Sequence, residues 1–186
     1  RHIEVQLLRD TQGSTKVLGI RDCSVQRDKQ KVLEESGSTM LPAHLEESVI
    51  QSTRKIADEV GYIGAGTVEF IYDLKSEAIY FMEMNTRLQV EHPVTELVSG
   101  VEIVGEQFRI ASGQSIVDLP EKQKGYAIEV RVTAELIDQD AVRAETGGLI
   151  REAGAPEIKK LASIIGVDIT YPGEGYTQEP LVSFVD

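Results

Sequence analysis

The sequence predicts an α+β protein in which an antiparallel sheet is flanked by helices. Residues 1–22 and 67–85 each hold two segments rich in β-branched and aromatic residues around a short polar turn, which is typical of hairpins. Residues 42–60 and 101–112 carry apolar side chains at helical spacing, and each segment is followed by a glycine. Strand pairs interleaved with helices, without an internal repeat, therefore indicate this fold class.

The first hairpin opens the chain. Its strands lie on either side of the turn Asp10–Ser14, and residues 17–20 form the second strand. One face of the first strand is apolar, with Ile3, Val5 and Leu7. The following segment, residues 21–31, is predicted to be a polar loop.

A first helix is predicted over residues 42–60, where Pro42 starts it and Gly61 ends it. Its buried stripe is Leu45, Val49, Ile56 and Val60. The glycines of residues 61–66 lack a strand before them and a helix after them. They therefore indicate tight backbone turns and not a phosphate loop.

Two further helices follow the second hairpin. Thr95 is predicted to cap a short helix over residues 96–99, and a longer helix covers residues 101–112. The packed face of the longer helix is Val101, Val104, Phe108 and Ala111. Because a polar linker precedes a strand that begins at Tyr126, we expect two domains, residues 1–115 and 116–186.

The second hairpin places two carboxylates side by side. If it is symmetric about Ser76, Glu69 lies directly opposite Glu83, with Cβ atoms about 5 Å apart. Strand alternation assigns the apolar residues to a core face: Val68, Phe70, Tyr72, Tyr80, Met82 and Met84. It assigns a second set to the opposite face: Glu69, Ile71, Phe81, Glu83 and Asn85.

Facing carboxylates repel each other unless a hard cation lies between their oxygens. Glu69, Glu83 and Asn85 therefore predict a magnesium site of the kind that also holds substrate phosphates. The alternative is that both glutamates are solvated charges on an exposed strand face.

An extended run follows the hairpin, with Arg87, Gln89 and Glu91 on one side of it. Arg87 offers a planar donor fork for a small oxyanion, and Glu91 can accept the proton of a substrate such as bicarbonate. His92 precedes Pro93, which favours an extended backbone there, so His92 is interpreted as structural.

Composition excludes several classes of function. The 186 residues carry a net charge of −12, which argues against wrapping nucleic acid or binding anionic lipid. Cys23 is the only cysteine, so no intrachain disulfide is possible, and its thiol is interpreted as a small buried hydrophobe. The sequence shows neither a signal peptide nor a run of eighteen apolar residues. An intracellular protein is therefore expected.

Three motifs resemble biotin carboxylase, the ATP-grasp component of biotin-dependent acyl-CoA and pyruvate carboxylases. They are R-D-C-S-V-Q-R-x-x-Q-K at Arg21–Lys31, G-A-G-T-V-E-F at Gly64–Phe70 and E-M-N-T-R-L-Q-V-E-H-P-V-T-E at Glu83–Glu96. The resemblance is close from Arg1 to about Glu135. It implies an ATP-grasp-like antiparallel sheet, followed by the start of a biotin carboxylase C-terminal subdomain.

The resemblance also implies a role for each matching position. The residues expected to hold the magnesium or manganese ions between the ATP phosphates are Glu69, Glu83 and Asn85. Those expected near the nucleotide are His2, Gln26 and, beneath the adenine, Ile71. The bicarbonate pocket is expected to comprise Lys31, Arg87, Gln89 and the backbone of Val90, with Glu91 as the general base.

As part of a biotin carboxylase, the chain is expected to belong to an ATP-dependent ligase. The implied reaction phosphorylates bicarbonate to carboxyphosphate with Mg-ATP and then carboxylates biotin on a carrier domain. The implied partners are ATP, bicarbonate, the biotinyl carrier domain and a carboxyltransferase, with a homo-oligomer in the intact enzyme. The expected location is the cytoplasm, or the mitochondrial matrix in a eukaryote.

The C-terminal part of the chain departs from the family. Glu145-Thr146-Gly147-Gly148 stands where members have a Pro-Ser-Pro-Gly-like turn. Gly166-Val167-Asp168 is the best match to a Gly-Val-Arg triplet whose Arg is credited with stabilising the biotin enolate. Asp168 reverses that charge. The basic residues that could replace it are Arg143, Arg151, Lys159 and Lys160.

The N-terminal end leaves alternatives open. The sequence begins within a strand, so the family's N-terminal domain and ATP-clamping lid are expected to be missing, and the isolated fragment is expected to be inactive. The alternative functions are a non-catalytic or degenerate ATP-grasp module, and another ATP-grasp ligase that acts on an amine.

Overall fold

The computed structural model describes residues 1–131. Six strands occur there: β1 (His2–Arg9), β2 (Thr15–Arg27), β3 (Gln30–Ser36), β4 (Gly64–Asp73), β5 (Ala78–Asn85) and β6 (Ile128–Val130). The helices in this part are α1 (Ala43–Glu59), α2 (His92–Ser99) and α3 (Ile103–Ala111). The strands form one antiparallel sheet in the order β5-β4-β1-β2-β3-β6. The predicted α+β class, an antiparallel sheet with flanking helices, is confirmed.

The central strand β1 separates two cores. Its residues Ile3, Val5 and Leu7 are fully buried in a cluster that includes Val49 and Ala57 of α1. Its other face carries Leu8, which packs in a second cluster with apolar residues of α3. Each fully buried aliphatic side chain contributes roughly 2 kcal/mol to the free energy of unfolding. Buried polar residues precede Leu8 on that second face, and they form the back of the site described below.

The segment predicted to be a polar loop is instead a hairpin. Strand β2 continues to Arg27, Asp28 and Lys29 form the turn, and β3 starts at Gln30. Both turn residues have positive φ, 52° and 66°, which matches the twist of a two-residue hairpin. The prediction was wrong because buried polar residues at strand positions, such as Arg21, resemble loop composition in the sequence.

Helix α1 confirms the first predicted helix, with a different buried stripe. Val49, Thr53 and Ala57 are buried, while Leu45 and Ile56 are partly buried. Val60 is 65% exposed, because the helix ends at Glu59 and Val60 is its C-terminal cap. Gly61 follows with φ of 59°, a conformation that favours glycine.

The two later helices differ from their predicted bounds. Helix α2 begins at His92, with Pro93 in its first turn, so Thr95 lies inside the helix and does not cap it. Helix α3 buries Ile103 and Ile110, whereas Phe108 is 73% exposed. Of the face predicted to be packed, only Val101 is buried, while Val104 and Ala111 are exposed. The helix has two apolar stripes, and the one that packs against the sheet contains Ile103 and Ile110.

The second hairpin contains a β-bulge. Glu69 pairs with Glu83 as predicted, but the register shifts by one residue between Glu69 and Phe70. Phe81 therefore pairs with Phe70, with ring centroids 6.3 Å apart in an edge-to-face arrangement, and Tyr80 pairs with Ile71. The predicted faces of Tyr80, Phe81 and Met82 are thus wrong, because one extra residue in β5 reverses the alternation.

Cys23 is buried and unpaired, as predicted. Burial, together with the nearby charge of Glu4, raises the pKa of its thiol far above the ordinary value.

Strand β6 lies within the predicted strand that begins at Tyr126, and it pairs with β3 in the same sheet. The division at residues 115/116 stays a prediction. The departures from the family at residues 145–148, Asp168 and its candidate replacements (Arg143, Arg151, Lys159, Lys160) lie outside the described residues. Within residues 1–131, no helix is long and apolar enough to cross a membrane.

Candidate active site

One cleft of about 620 Å³ gathers all of the predicted site residues. They are His2, Gln26, Lys31, Glu69, Ile71, Glu83, Asn85, Arg87, Gln89, Val90 and Glu91. The residues come from five neighbouring strands and the loop after β5, so the antiparallel order of the sheet is what assembles them. The cleft also contains four residues that were not predicted: Lys29, Gln30, Met82 and Arg131.

The two facing carboxylates lie on the same side of the sheet. Nδ2 of Asn85 donates to Glu69 Oε1 at 2.7 Å and lies 3.4 Å from Glu83 Oε1. Glu69 is only 3% exposed, whereas Glu83 is open to the cleft. The geometric premise of the predicted metal site is therefore present, with one buried and one accessible carboxylate.

The β-bulge changes the apolar floor beside these carboxylates. Met82 lines the cleft together with Ile71, and Phe81 packs on Phe70 instead. The sequence alternation placed Phe81 at this position. The floor is therefore formed by a flexible thioether and a branched aliphatic side chain, which can pack against a flat ring.

Glu69 is surrounded by hydrogen-bond donors. His2 Nε2 lies 2.6 Å from Glu69 Oε2, and Gln89 Nε2 donates to Glu69 Oε1 at 2.8 Å. Gln26 Nε2 lies 2.7 Å from His2 Nδ1, so the arrangement fits an imidazole whose Nε2 carries the proton. Burial raises the pKa of Glu69, but the His2 hydrogen bond and the charge of Lys31 lower it to about 2. Glu69 is therefore ionised at neutral pH.

Lys31 is the cation at the centre of the site. Its Nζ contacts Glu4 Oε1, lies 3.3 Å from Glu69 Oε1 and donates to Glu91 Oε1 at 2.5 Å. Burial lowers the pKa of Lys31, but its carboxylate neighbours outweigh that effect and raise it above the ordinary value. Burial likewise raises the pKa of Glu91, and the ion pair with Lys31 brings it below the usual range. Both groups are charged at neutral pH.

The donor set fits a divalent cation at Glu69, Glu83 and Asn85. Two carboxylates and a carboxamide are the oxygen ligands that magnesium prefers. His2, Glu4 and Glu69 also place one potential ligand atom each within 4.8 Å of one another. The Lys31 ammonium already contacts Glu4 and Glu69 there, and its positive charge would repel a divalent cation. The side of Glu69 that faces Glu83 is therefore the better cation position.

The residues of the loop after β5 differ in their exposure to solvent. Gln89 and Glu91 are buried, while Arg87 and Val90 are exposed at the mouth of the cleft. His92 Nδ1 lies 2.8 Å from the Gln89 carbonyl oxygen, a local contact that stabilises the turn. The extended backbone predicted at His92 is wrong, because His92 is the first residue of α2, and its structural role stays a prediction.

Sequence reasoning missed the polar residues behind the cleft. Glu4 and Gln6 on β1 and Arg21 on β2 are fully buried, and Arg21 Nη2 lies 3.0 Å from Glu4 Oε2. One signal was available, because Glu4 and Gln6 alternate with Ile3, Val5 and Leu7 on a strand that is central to the sheet. A charged residue at such a position must be paired when it is buried.

Arg131 provides a second unpredicted guanidinium. Its Nη2 lies 3.6 Å from Glu91 Oε2 and 3.9 Å from Glu34 Oε1. Glu34 is fully buried and pairs across β3 and β6 with Glu129. Within residues 1–131, Arg131 thus places a guanidinium beside Glu91, in addition to Arg87 at the mouth of the cleft.

Comparison with known proteins agrees with this geometry. A family model described as carbamoyl-phosphate synthase L chain, ATP binding domain, matches residues 1–119. Biotin carboxylase 1 of Bacillus subtilis (strain 168) is 52% identical over 140 residues, which cover 73% of this chain and 30% of that protein. Biotin carboxylase of Nostoc sp. is 51% identical over 143 residues, which cover 75% of this chain and 32% of that protein. The chain thus spans about 30% of the length of these relatives.

Solved structures give the same result. The biotin carboxylase–β,γ-ATP complex from Campylobacter jejuni is similar with a TM-score of 0.70 and 43% identity, over 75% of this chain and 31% of that chain. The biotin carboxylase domain of Hydrogenobacter thermophilus 2-oxoglutarate carboxylase, in complex with MgADP, ADP and bicarbonate, is similar with a TM-score of 0.68 and 47% identity. That match covers 73% of this chain and 30% of that chain. The resemblance to biotin carboxylase is confirmed, and the chain belongs to the carbamoyl-phosphate synthase L chain, ATP-binding domain family.

Proposed function

We propose that this chain is part of a biotin carboxylase, an ATP-dependent ligase that carboxylates carrier-bound biotin with bicarbonate. The observation that carries the proposal is the juxtaposition in one cleft of two unlike groups of residues. Glu69, Glu83 and Asn85 supply oxygen ligands for a metal–nucleotide complex, and the Lys31–Glu91 ion pair lies directly beside them. A cleft that binds only a nucleotide needs no such lysine–glutamate ion pair next to the phosphates.

The nucleotide end of the cleft would be formed by β1, β2, β4 and β5. Ile71 and Met82 give an apolar surface for the adenine, and His2 with Gln26 gives polar contacts near the ribose and phosphates. Glu69, Glu83 and Asn85 would hold Mg²⁺, or Mn²⁺, which supplies neutralisation of the phosphate charge. Because Glu69 stays ionised, the site keeps its ligand charge at any pH near neutrality.

The bicarbonate end would be formed by Lys31 and the loop after β5. Arg87, Gln89 and the Val90 backbone N–H bind the anion's oxygens, and the ionised Glu91 accepts its proton. An oxygen of the deprotonated bicarbonate then attacks the γ-phosphorus of ATP. The bond to the β–γ bridging oxygen breaks, and the products are carboxyphosphate and ADP. Positive charge from Lys31 stabilises the electron density that accumulates on the transferred group.

The further partners follow from this reaction. Biotin on a carrier domain receives the carboxyl group, and a carboxyltransferase passes it on to the final acceptor. We propose a homo-oligomeric enzyme located in the cytoplasm, or in the mitochondrial matrix of a eukaryote, with residues 116–186 starting its C-terminal subdomain. The 186-residue fragment alone is expected to be inactive, because it spans about 30% of its relatives.

A Glu91→Gln variant of the complete carboxylase tests the assignment. Glutamine keeps the shape but cannot take the proton, so bicarbonate-dependent ATP cleavage should fall by at least about 100-fold. Mg-ATP affinity, measured by calorimetry, should stay within about twofold, because Glu91 lies outside the proposed metal ligands. Glu59→Gln, an exposed glutamate at the end of α1, is the matched control and should leave both quantities unchanged.

The same measurements separate the two alternatives. A protein that binds Mg-ATP but cleaves it only with an amine substrate would be another ATP-grasp ligase. Failure of the complete wild-type protein to bind Mg-ATP would identify a degenerate, non-catalytic module. Retention of turnover by Glu91→Gln would contradict the role of Glu91 as the base.

A further inference from the structure

Arg21 is a buried arginine that lines no part of the cleft and yet contacts the residues that form its back wall. It is fully buried on β2, and its guanidinium donates to side chains from three other elements and the loop. The acceptors are Glu4 Oε2 (3.0 Å), Gln6 Oε1 (2.8 Å), Thr67 Oγ1 (3.3 Å), Gln89 Oε1 (3.0 Å) and Thr95 Oγ1 (2.8 Å). Nε, Nη1 and Nη2 of the guanidinium therefore all donate to buried side-chain acceptors.

The contact with Gln89 determines which way that carboxamide points. A guanidinium has only donors, so the group of Gln89 that faces Arg21 must be the carbonyl oxygen. The amide nitrogen is thereby directed to Glu69 Oε1, at 2.8 Å. A reversed carboxamide would place N–H against N–H and oxygen against carboxylate, which loses two buried hydrogen bonds.

The contact with Glu4 determines the position of Lys31. Arg21 binds Glu4 Oε2 through both Nε and Nη2, which leaves Oε1 for the ammonium of Lys31. Lys31 in turn donates to Glu91. The chain of contacts Arg21–Glu4–Lys31–Glu91 therefore links a buried residue of β2 to the proposed base.

The contact with Thr95 anchors the helix that follows the loop. Thr95 lies in the first turns of α2, which starts directly after Glu91. Because Arg21 Nη1 also binds Gln6 of β1, the start of α2 is held against the centre of the sheet. Gln89 in the loop and Thr95 in α2 lie on either side of Glu91 in the sequence, and both bind the guanidinium of Arg21.

We propose that Arg21 is a positioning residue for the bicarbonate end of the site, acting through Gln89 and the Glu4–Lys31 pair without touching substrate. The proposal rests on the proposed function. A buried Arg–Glu pair gains little net stability after desolvation, so stability alone is a weak reason to place one here. The planar five-donor fork matches a role in orienting several side chains at once.

An Arg21→Lys variant of the complete carboxylase tests the proposal. Lysine keeps the charge but loses the fork, so the Gln89 and Glu4 contacts cannot both persist. We expect the KM for bicarbonate to rise, or the bicarbonate-dependent kcat to fall, by at least about tenfold, with the KM for ATP within about twofold. The double variant Arg21→Lys/Gln89→Ala should show less than the sum of the two single effects, because part of the Arg21 effect acts through the Gln89 carboxamide.

Controls separate positioning from loss of stability. Val49→Ala opens a cavity under α1, in the other core, and should lower the thermal midpoint without changing the ratio of the two KM values. If Arg21→Lys does not fold, Thr95→Val removes one acceptor at nearly constant shape and should raise the bicarbonate KM by about threefold. A normal bicarbonate KM in the folded variant, or additive effects in the double variant, would overturn the proposal. A wild-type enzyme without bicarbonate-dependent ATP cleavage would instead overturn the proposed function.

Discussion

Two pairs of facing glutamates lie near opposite edges of the same sheet. Glu69 and Glu83 pair across β4 and β5, and Glu34 and Glu129 pair across β3 and β6. In both cases two like charges stand directly opposite each other on antiparallel neighbours, an arrangement that is destabilising by itself. The two pairs nevertheless have very different surroundings.

The difference lies in the donors. Glu69 receives hydrogen bonds from the side chains of His2, Asn85 and Gln89, and the Lys31 ammonium lies beside it. Both oxygens of Glu34 and Oε2 of Glu129 are buried, and within residues 1–131 they have no hydrogen-bond partner. The guanidinium of Arg131 approaches Glu34 only to 3.9 Å, between Nη2 and Oε1.

The two pairs therefore respond to pH with opposite sign. Burial raises the pKa of Glu69, but its partners lower it from 4.5 to about 2, so its stabilising contribution is present above pH 4.5 and is lost as pH falls toward 2. Burial and the charge of Glu34 raise the pKa of Glu129 to about 7. Stability from that group is present below pH 4.5 and is lost as pH rises through 7. The facing geometry is the same in both pairs, so the surrounding hydrogen-bond donors decide the outcome. With donors the carboxylate stays ionised and can bind a cation, and without them its pKa rises and it binds a proton.

The comparison predicts its largest effect at Glu83. In the complete carboxylase, Glu83→Gln should reduce bicarbonate-dependent ATP cleavage by at least about 100-fold, because the metal site loses its accessible charged ligand. The measurement is a steady-state ATPase assay across Mg²⁺ concentrations, with Glu59→Gln as the control. Near-normal turnover at ordinary Mg²⁺ would refute the assignment of this pair as a cation site.

A smaller effect is expected at Glu129. Glu129→Gln removes a buried charge, so above pH 7 the variant should be more stable than the wild type, by about 1 kcal/mol after allowance for partial exposure. At pH 4, below both pKa values, the carboxyl is largely protonated in the folded and the unfolded protein, and the two proteins should match. Thermal midpoints at pH 4 and pH 8 test this, with exposed Glu102→Gln as the control. An equal difference at both pH values would show that the charge of Glu129 is not responsible.

The smallest predicted effect is a change in titration. Removing the charge of Glu34 in a Glu34→Gln variant should lower the pKa of Glu129 from about 7 toward its ordinary value, because Glu34 is one of the causes that raise it. Carboxyl-carbon NMR of a glutamate-labelled protein follows this titration. Glu35→Gln changes the next residue on β3, which pairs with Ile128, and should leave the Glu129 titration unchanged. If both variants shifted it equally, the facing geometry would not be the cause.

Much of the site was predictable because local rules govern it. Alternation and turn length placed Glu69 opposite Glu83, and this inference needed no long-range information, since a hairpin determines its own register. The run from Arg87 to Glu91 is not extended as predicted, because the chain bends at Arg87 and turns at Val90–Glu91. All residues predicted for the site nevertheless line one cleft.

The wrong predictions share a different physical origin. The bulge in β5 places Met82 in the cleft, where strand alternation predicted Phe81, and it pairs Phe81 with Phe70. The two-residue alternation of a strand cannot show this packing. The polar segment from Arg21 to Lys31 becomes two strands because partners on β1, β4 and α2 satisfy its buried donors. In α3, two apolar stripes were available, and only the neighbouring sheet could choose between them.

The amino-acid sequence alone determined the fold class, the facing carboxylates and the family, because each depends on short-range periodicity and contiguous motifs. Tertiary structure alone decided which charges are buried and what they touch. Arg21, Glu4, Glu34 and Arg131 gain their roles from residues that lie 15 to 97 positions away. A side chain's charge state and orientation depend on the donors and acceptors around it in space, and that environment exists only once the strands have paired and the helices have packed on the sheet.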